Sequence, residues 1–438
     1  MDISRERRRE IIAALRKGTV PQRGLDFLAV GLTRFEPVIA SELGDVAQGG
    51  SMFKAVRGDY GCGKTFFGRW VQEYAKKKGF AAAEVQISET ETPLHRLETV
   101  YRRAMEQLST TDTFLGAFRS IIDGWFYGLE EDVLAEGTID PSDEKSLSRR
   151  ADELLEQRLA EITRATPQFA AALRAYRTAQ RANDHATAEG LAGWLAGQPH
   201  VAASVKREAG VKGDVDHYAA LSFLRGLLLI LKDTGYSGLV LVLDEIETLQ
   251  RVRGDVREKG LNALRQLIDD IDSGRFPNLY LLTTGTPAFF DGPQGVRRLE
   301  PLAQRLHVDF QTDPRFDNPR AVQLRLSAFD HDRLLEVGIK VRDLFAADCS
   351  SPDRVRRLAP DSYIELLARS VTGKLGGKVG IAPRLFLKKL VSDVLDRIDQ
   401  FDDFDPTKHY QLTIDRNEMT AVERESQPQS VDDIELGP

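Results

Sequence analysis

Residues Gly58-Asp59-Tyr60-Gly61-Cys62-Gly63-Lys64-Thr65 fit the pattern G-x-x-x-x-G-K-[ST]. This run constrains the fold more than any other feature, because it works only where a buried strand enters a glycine-rich turn and a helix leaves it. Both flanks are present. Met52 to Val56 is a short apolar run that stops at Gly58, and from Thr65 to Lys78 the residues Phe67, Trp70, Val71 and Tyr74 recur at three- and four-residue spacing before Gly79 closes the segment. The glycines let the backbone bend so that successive N–H groups face a triphosphate, and the helix N-terminus adds its positive dipole. Lys64 is then placed to reach the β- and γ-phosphates, and the Thr65 hydroxyl to ligate Mg²⁺. A turn with no ligand is the alternative for this run taken alone.

Composition narrows the rest. The 438 residues carry 60 Lys and Arg against 67 Asp and Glu, a formal charge of −7, which excludes a uniformly basic nucleic-acid coat. An anionic partner therefore needs a specific site. Two cysteines, Cys62 and Cys349, and seven scattered histidines at no ligand spacing support neither a disulfide framework nor a zinc site, so no metal beyond Mg²⁺ is implied. MDISRERRRE has no apolar stretch after its arginines, and the most apolar run, Leu221 to Leu231, is short and broken by Arg225. The expectation is a cytoplasmic protein with no membrane contact.

Further strands are expected at Ala82 to Ile87, Gly238 to Leu243, Leu279 to Thr283 and His307 to Phe310, with helices at Arg5 to Arg16, Pro93 to Leu108, Leu221 to Lys232 and Arg257 to Asp272. Strands separated by helices imply a parallel α/β sheet. The stretch from about 109 to 213 is rich in Ala, Arg, Glu and Leu and reads as a helical insertion. After a Pro- and Asp-rich connector, helical patterns at Asp330 to Phe345, Ser362 to Ser370 and Pro383 to Ile398 suggest a small all-α domain. The division expected is thus 1–24 for an N-terminal helix and lead-in segment, 25–313 for a base domain with its insertion, 314–419 for a helical lid and 420–438 for a flexible tail.

Leu239-Val240-Leu241-Val242-Leu243-Asp244-Glu245 is an apolar strand ending in two carboxylates. Downstream of a phosphate loop, Asp244 would hold Mg²⁺ through water and Glu245 would polarise the attacking water. The plain alternative is that the pair caps the next helix. The following strand ends in Thr283-Thr284-Gly285, which offers Thr283 or Thr284 as a polar sensor or as a turn cap. Arg297, Arg298 and Arg305 precede the last expected strand, and Arg384 lies in the helical domain; a guanidinium reaching the γ-phosphate would neutralise transition-state charge. Lys374, Lys378, Arg384, Lys388 and Lys389 form a basic cluster that reads as a solvated helix face or as a small nucleic-acid or partner patch. Cys62 lies inside the loop near a helix N-terminus, an environment able to lower a thiol pKa, but it is given no catalytic role and is expected to fill a small space.

Taken in order, GDYGCGKT, LVLVLDEIETLQ, LYLLTTGTP, LAQRLHVDF and GIAPRLFLKKL resemble the AAA+ group of P-loop ATPases, on the side of origin-recognition and STAND-type ATPases. With ALRKGTVPQRGLDFLAVGL ahead of the loop, the chain resembles more closely the ATP-binding proteins of bacterial BREX phage-exclusion systems, in particular the BrxD type. The resemblance implies an AAA+ base domain with a helical lid, ATP and Mg²⁺ as ligands, and hydrolysis coupled to homo-oligomerisation. It assigns Gly58 to Thr65 to nucleotide binding, Asp244 and Glu245 to the second acidic motif, Thr284 or its neighbour to sensor 1, Arg305 to the arginine finger and Arg384 to sensor 2. Val20 and Pro21 match a segment that lines the adenine pocket. Gly31-Leu32-Thr33 departs from the Gly-Arg of many relatives, and the long insertion departs from a standard ring subunit. The function implied is a motor or switch acting with other subunits of the defence system, with DNA reached indirectly or through the lid patch. A nucleotide-gated scaffold and an initiator-like DNA-associated ATPase are the alternatives.

Overall fold

The structure, a computed structural model, describes residues 3–137, 140, 142–375, 383–419 and 424. Along the chain, α1 (Arg5–Arg16) and α2 (Glu36–Ala47) precede β1 (Ser51–Arg57), α3 (Lys64–Lys76) and β2 (Phe80–Gln86). Helices α4 (Leu97–Glu106), α5 (Ala117–Ala135), α6 (Glu144–Ala165), α7 (Pro167–Arg181), α8 (His185–Leu195), α9 (Ala203–Glu208) and α10 (His217–Asp233) follow, then β3 (Gly238–Asp244), α11 (Gly254–Asp272) and β4 (Leu279–Gly285). The remainder comprises α12 (Pro287–Asp291), α13 (Glu300–Arg305), β5 (Gln323–Arg325), α14 (His331–Ala346), α15 (Pro352–Leu358), α16 (Asp361–Lys374), α17 (Pro383–Lys389), a π-helical stretch at Leu390–Leu395, α18 (Asp396–Gln400) and α19 (Pro406–His409). Among the described residues, no helix is long and apolar enough to cross a membrane.

The strands form one sheet in the order β2-β3-β4-β1-β5. β3 is buried along its whole length and pairs in parallel with both β2 and β4, which is why its sequence is an unbroken apolar run rather than an alternation. The register puts Gln86 opposite Asp244 and Thr283 opposite Leu243, so polar residues from neighbouring strands gather at one end of the sheet. The expected strand at His307 to Phe310 does not form. The fifth strand is β5, beside which the Leu326 N–H donates to the Arg57 carbonyl at 2.9 Å. Phe310 instead packs its ring under two guanidiniums, Arg57 at 4.6 Å and Arg325 at 5.0 Å, and Arg325 is itself held by Asp317 at 2.7 Å.

The chain divides into two compact units, one of Met1–Val38, Val56–Glu73 and Asp309–Pro438, the other of Ile39–Ala55 and Tyr74–Val308. In the first unit, Ile11, Ile12 and Leu15 on one face of α1 enter a core built with α14, α16 and α17, including Leu334, Ile364 and Phe386. Burial of side chains of this kind contributes about 1.5–3 kcal/mol each, so α1 is an integral part of this core. Ser4 caps α1 by accepting from the Arg7 N–H at 3.2 Å, and Arg16 grips Asp396 through two bonds of 2.6 and 2.7 Å.

In the second unit, the expected insertion is helical, α5 to α9, and packs on α10 around Phe223, whose ring meets those of Phe169, Trp194 and Tyr101 at 5.0, 5.2 and 6.1 Å. The helix α2 carries Ile39, Leu43 and Val46 into the core together with the carboxylate of Glu42. That carboxylate pairs with buried Lys54 of β1 at 2.5 Å and accepts from the Tyr280 hydroxyl of β4 at 2.7 Å, so the buried charges are mutually satisfied.

Candidate functional site

The glycine-rich turn leaves β1 at Arg57 and becomes α3 at Lys64. Gly58 is required by contact, since a Cβ there would lie 2.3 Å from Cys62 Sγ. Gly63 is required by conformation, with φ at +92°, and its carbonyl accepts the first helical bond from Phe67 N–H at 2.8 Å. Lys64 Nζ donates to the carbonyls of Gly58 at 2.9 Å and Asp59 at 3.2 Å, and lies 5.0 Å from the Tyr60 ring. The ammonium therefore curls over the loop that an incoming phosphate would share with it. Burial pushes the Cys62 thiol up to about 11, outweighing the nearby Lys64 ammonium, and its Sγ fills the space beside Gly58.

The same unit places the N-terminal segment beside α3. Arg69 Nη1 donates to the Val20 carbonyl at 2.9 Å, and the two oxygens of Glu73 accept from the N–H groups of Gly24 and Leu25 at 2.9 and 2.8 Å. Pro21 is buried and Val20 half-buried. Arg384 of α17 lies against the start of this segment, with Nη1 3.3 Å from where a Gly18 Cβ would project, and its Nη2 donates to the Glu418 carbonyl at 2.5 Å. Phosphate loop, Val20-Pro21 and Arg384 thus belong to one compact body.

In the second unit, the end of β3 is organised by Thr284 at the end of β4. The Thr284 hydroxyl donates to Asp244 Oδ1 and accepts from the Glu245 N–H at 3.1 Å. Glu245 has φ +60° and ψ +43°, a left-handed conformation that costs a non-glycine residue energy. Its Oε2 accepts from Gln86 Nε2 at 2.9 Å. The Glu245 side chain makes no cap hydrogen bond to the 3₁₀ turn Ile246–Gln250 that follows. Thr283 is fully buried, and it is Thr284 that touches the carboxylate pair.

The arginines separate. Arg305 at the end of α13 pairs with Asp269 at 2.6 Å and Asp272 at 3.3 Å, both on α11, while Arg297 and Arg298 are exposed. In the basic cluster, Lys374 is exposed, but Lys388 and Lys389 pair with Glu418 at 3.2 and 2.8 Å, and Lys389 with Asp393 at 3.2 Å. That leaves less free positive charge than the sequence suggests. Lys378 and the segment Gly380 to Ala382 lie outside the described residues, as does most of the expected tail.

The Thr65 hydroxyl in the first unit and the buried Asp244 carboxylate in the second are each a hard oxygen donor of the kind Mg²⁺ takes. The missed residues are Gln86, Arg69 and Glu73. Gln86 had a signal, a polar residue closing an apolar strand, which the register then sets opposite Asp244, whereas Arg69 and Glu73 look like any solvated pair on a helix.

A family model described as BREX system ATP-binding protein BrxC/D matches residues 3–414. No curated protein and no solved structure matches the chain.

Proposed function

The chain belongs to the BREX system ATP-binding protein BrxC/D family, and we propose that it is a BrxD-type AAA+ ATPase that hydrolyses ATP as a motor or switch within an anti-phage defence complex. The single observation that supports hydrolysis best is the arrangement at the end of β3. Thr284 holds Asp244 and the Glu245 backbone together, which orients a base, while among the described residues a single bond from Gln86 restrains the Glu245 carboxylate, which leaves it available.

On this reading, Gly58 to Gly63 present backbone N–H groups to the phosphates and Lys64 leaves its loop carbonyls to meet them. Thr65 and Asp244 would hold Mg²⁺, which when bound neutralises and orients the phosphate oxygens. Glu245 accepts a proton from water as the water oxygen bonds to the γ-phosphorus. The bond to the ADP oxygen breaks, giving ADP and phosphate. Val20 and Pro21 flank the base, Thr284 relays the state of the carboxylate pair, and Arg384 contacts the nucleotide from the helical lid. Arg305 serves as the finger to a second copy of the chain. Its pairing with Asp269 and Asp272 favours a chain that is slow alone and faster on assembly. Partners are other subunits of the defence system, with DNA contacted through them or through the lid.

Turnover measured across protein concentration, with and without double-stranded DNA and alongside light scattering, tests this. Specific activity that rises as ATP drives assembly supports the reading. A concentration-independent rate with an unchanged mass removes the trans role of Arg305, and turnover that is absent throughout favours a nucleotide-gated scaffold.

A further inference from the structure

Thr65, Arg69 and Glu73 follow one another at four-residue spacing, so they share one face of α3, each about 6 Å further along the axis. The first of them stands at the phosphate loop. The other two grip the segment that runs from α1 to Leu25. Arg69 donates to the Val20 carbonyl at 2.9 Å, and Glu73 receives the Gly24 and Leu25 N–H groups at 2.9 and 2.8 Å. At its other end the segment is fixed by α1, whose Ile11, Ile12 and Leu15 lie in the helical core, and Thr19 N–H bonds back to the Ala14 carbonyl at 3.0 Å. Gly24 admits no side chain, since a Cβ there would sit 2.7 Å from Ile11 Cδ1. Residues 18–25 therefore form a strap tied to the helical core at one end and to the phosphate-loop helix at the other.

We propose that Arg69 and Glu73 are positioning residues that set this strap at the height of the nucleotide base, so that they govern affinity for adenosine while the loop governs affinity for phosphate. The inference rests on the ATP-binding reading above. On that reading the strap, pinned beside the first turns of α3 through backbone groups, is within reach of the base of a nucleotide whose phosphates lie at the start of that helix. Backbone pinning fixes the position of Val20 and Pro21 regardless of their own side chains. Loss of either polar residue lets the strap drift without touching the loop.

Equilibrium binding of ATP and of inorganic tripolyphosphate, by calorimetry on the full chain, separates the two. Arg69→Met and Glu73→Gln are expected to raise the Kd for ATP about tenfold, or about 1.4 kcal/mol, and to leave the Kd for tripolyphosphate within about twofold of wild type. Arg69→Lys, which keeps a donor, should recover most of the ATP affinity. Equal losses for both ligands, or no change for ATP in either variant, would overturn the proposal while leaving the ATP-binding reading in place. Wild-type protein that binds ATP no more tightly than tripolyphosphate overturns it as well. Wild-type protein that binds neither ligand overturns the ATP-binding reading and this inference with it.

Discussion

Gln86 Nε2 donates to Glu245 Oε2 across 2.9 Å, joining the end of β2 to the residue after β3. One such bond is worth about 0.5–1.5 kcal/mol net. If Glu245 activates water, it must give up part of this bond to act. Gln86→Ala is therefore expected to raise kcat by about three- to tenfold with KM unchanged, measured as phosphate release. A fall in kcat would show that Gln86 orients the base rather than restrains it.

Thr284 touches both members of the carboxylate pair, and it is fully buried. Thr284→Ala takes a partner from Asp244 and from the Glu245 N–H at once, which is expected to lower stability by about 1–3 kcal/mol and kcat by about tenfold or more. Thr284→Ser keeps the hydroxyl and should restore both. Equal loss in the two variants would mean that the methyl group, not the hydroxyl, matters at this position.

Much of this was legible in the residues. The glycine-rich turn fixed β1 and α3, and the apolar run ending in Asp244-Glu245 fixed β3, because a fully buried parallel strand has to be apolar on both faces. The edge strand was not legible. His307 to Phe310 and Gln323–Arg325 are both short and mixed, and a backbone bond to Arg57 together with the stacking of Phe310 under arginine decides between them. The α2 helix escaped notice because Glu42 interrupts its apolar face, and only its partners Lys54 and Tyr280, distant in sequence, make that burial acceptable. At the candidate site, residue types marked Lys64, Thr65, Asp244 and Glu245, but Gln86, which bonds Glu245, and Arg69 and Glu73, which hold Val20, Gly24 and Leu25, are common polar residues whose roles depend on what they face.

Cys62 reactivity should follow its burial. Thiol alkylation requires the thiolate, and a thiol raised to about 11 holds roughly a hundredfold less thiolate at pH 7.5 than one near 9. Alkylation of Cys62 in the native chain is expected to be slow at pH 7.5, to accelerate as pH rises toward 11 and to become ordinary on unfolding. Once modified, Cys62 should block nucleotide binding, because its Sγ already fills the space beside Gly58. Mass spectrometry that finds Cys62 labelled rapidly at neutral pH would contradict this.

Glu418 ties the end of the described helical region to α17. Its bonds from Lys389 and Lys388 hold its carboxyl below the ordinary range despite partial burial, and Lys389 is raised in turn. A carboxylate depressed on folding stabilises the native state above its ordinary pKa and loses that contribution as pH falls through the folded value. The lysine contribution is present below its ordinary pKa and is lost as pH rises through the raised one. Glu418→Gln should therefore cost about 1–2 kcal/mol at neutral pH, and the difference in melting should vanish in acid below the carboxylate range. A difference that persists there would assign Glu418 a packing role.

The most direct test of the account pairs ATP binding with turnover for wild type and Glu245→Gln at saturating Mg²⁺. A base aligned by Thr284 but not needed for binding predicts that Glu245→Gln keeps its affinity for ATP while phosphate release falls about a hundredfold or more. Turnover that survives the substitution at the wild-type rate would contradict the assignment of Glu245 as the base, and with it the central claim that the end of β3 carries the chemistry.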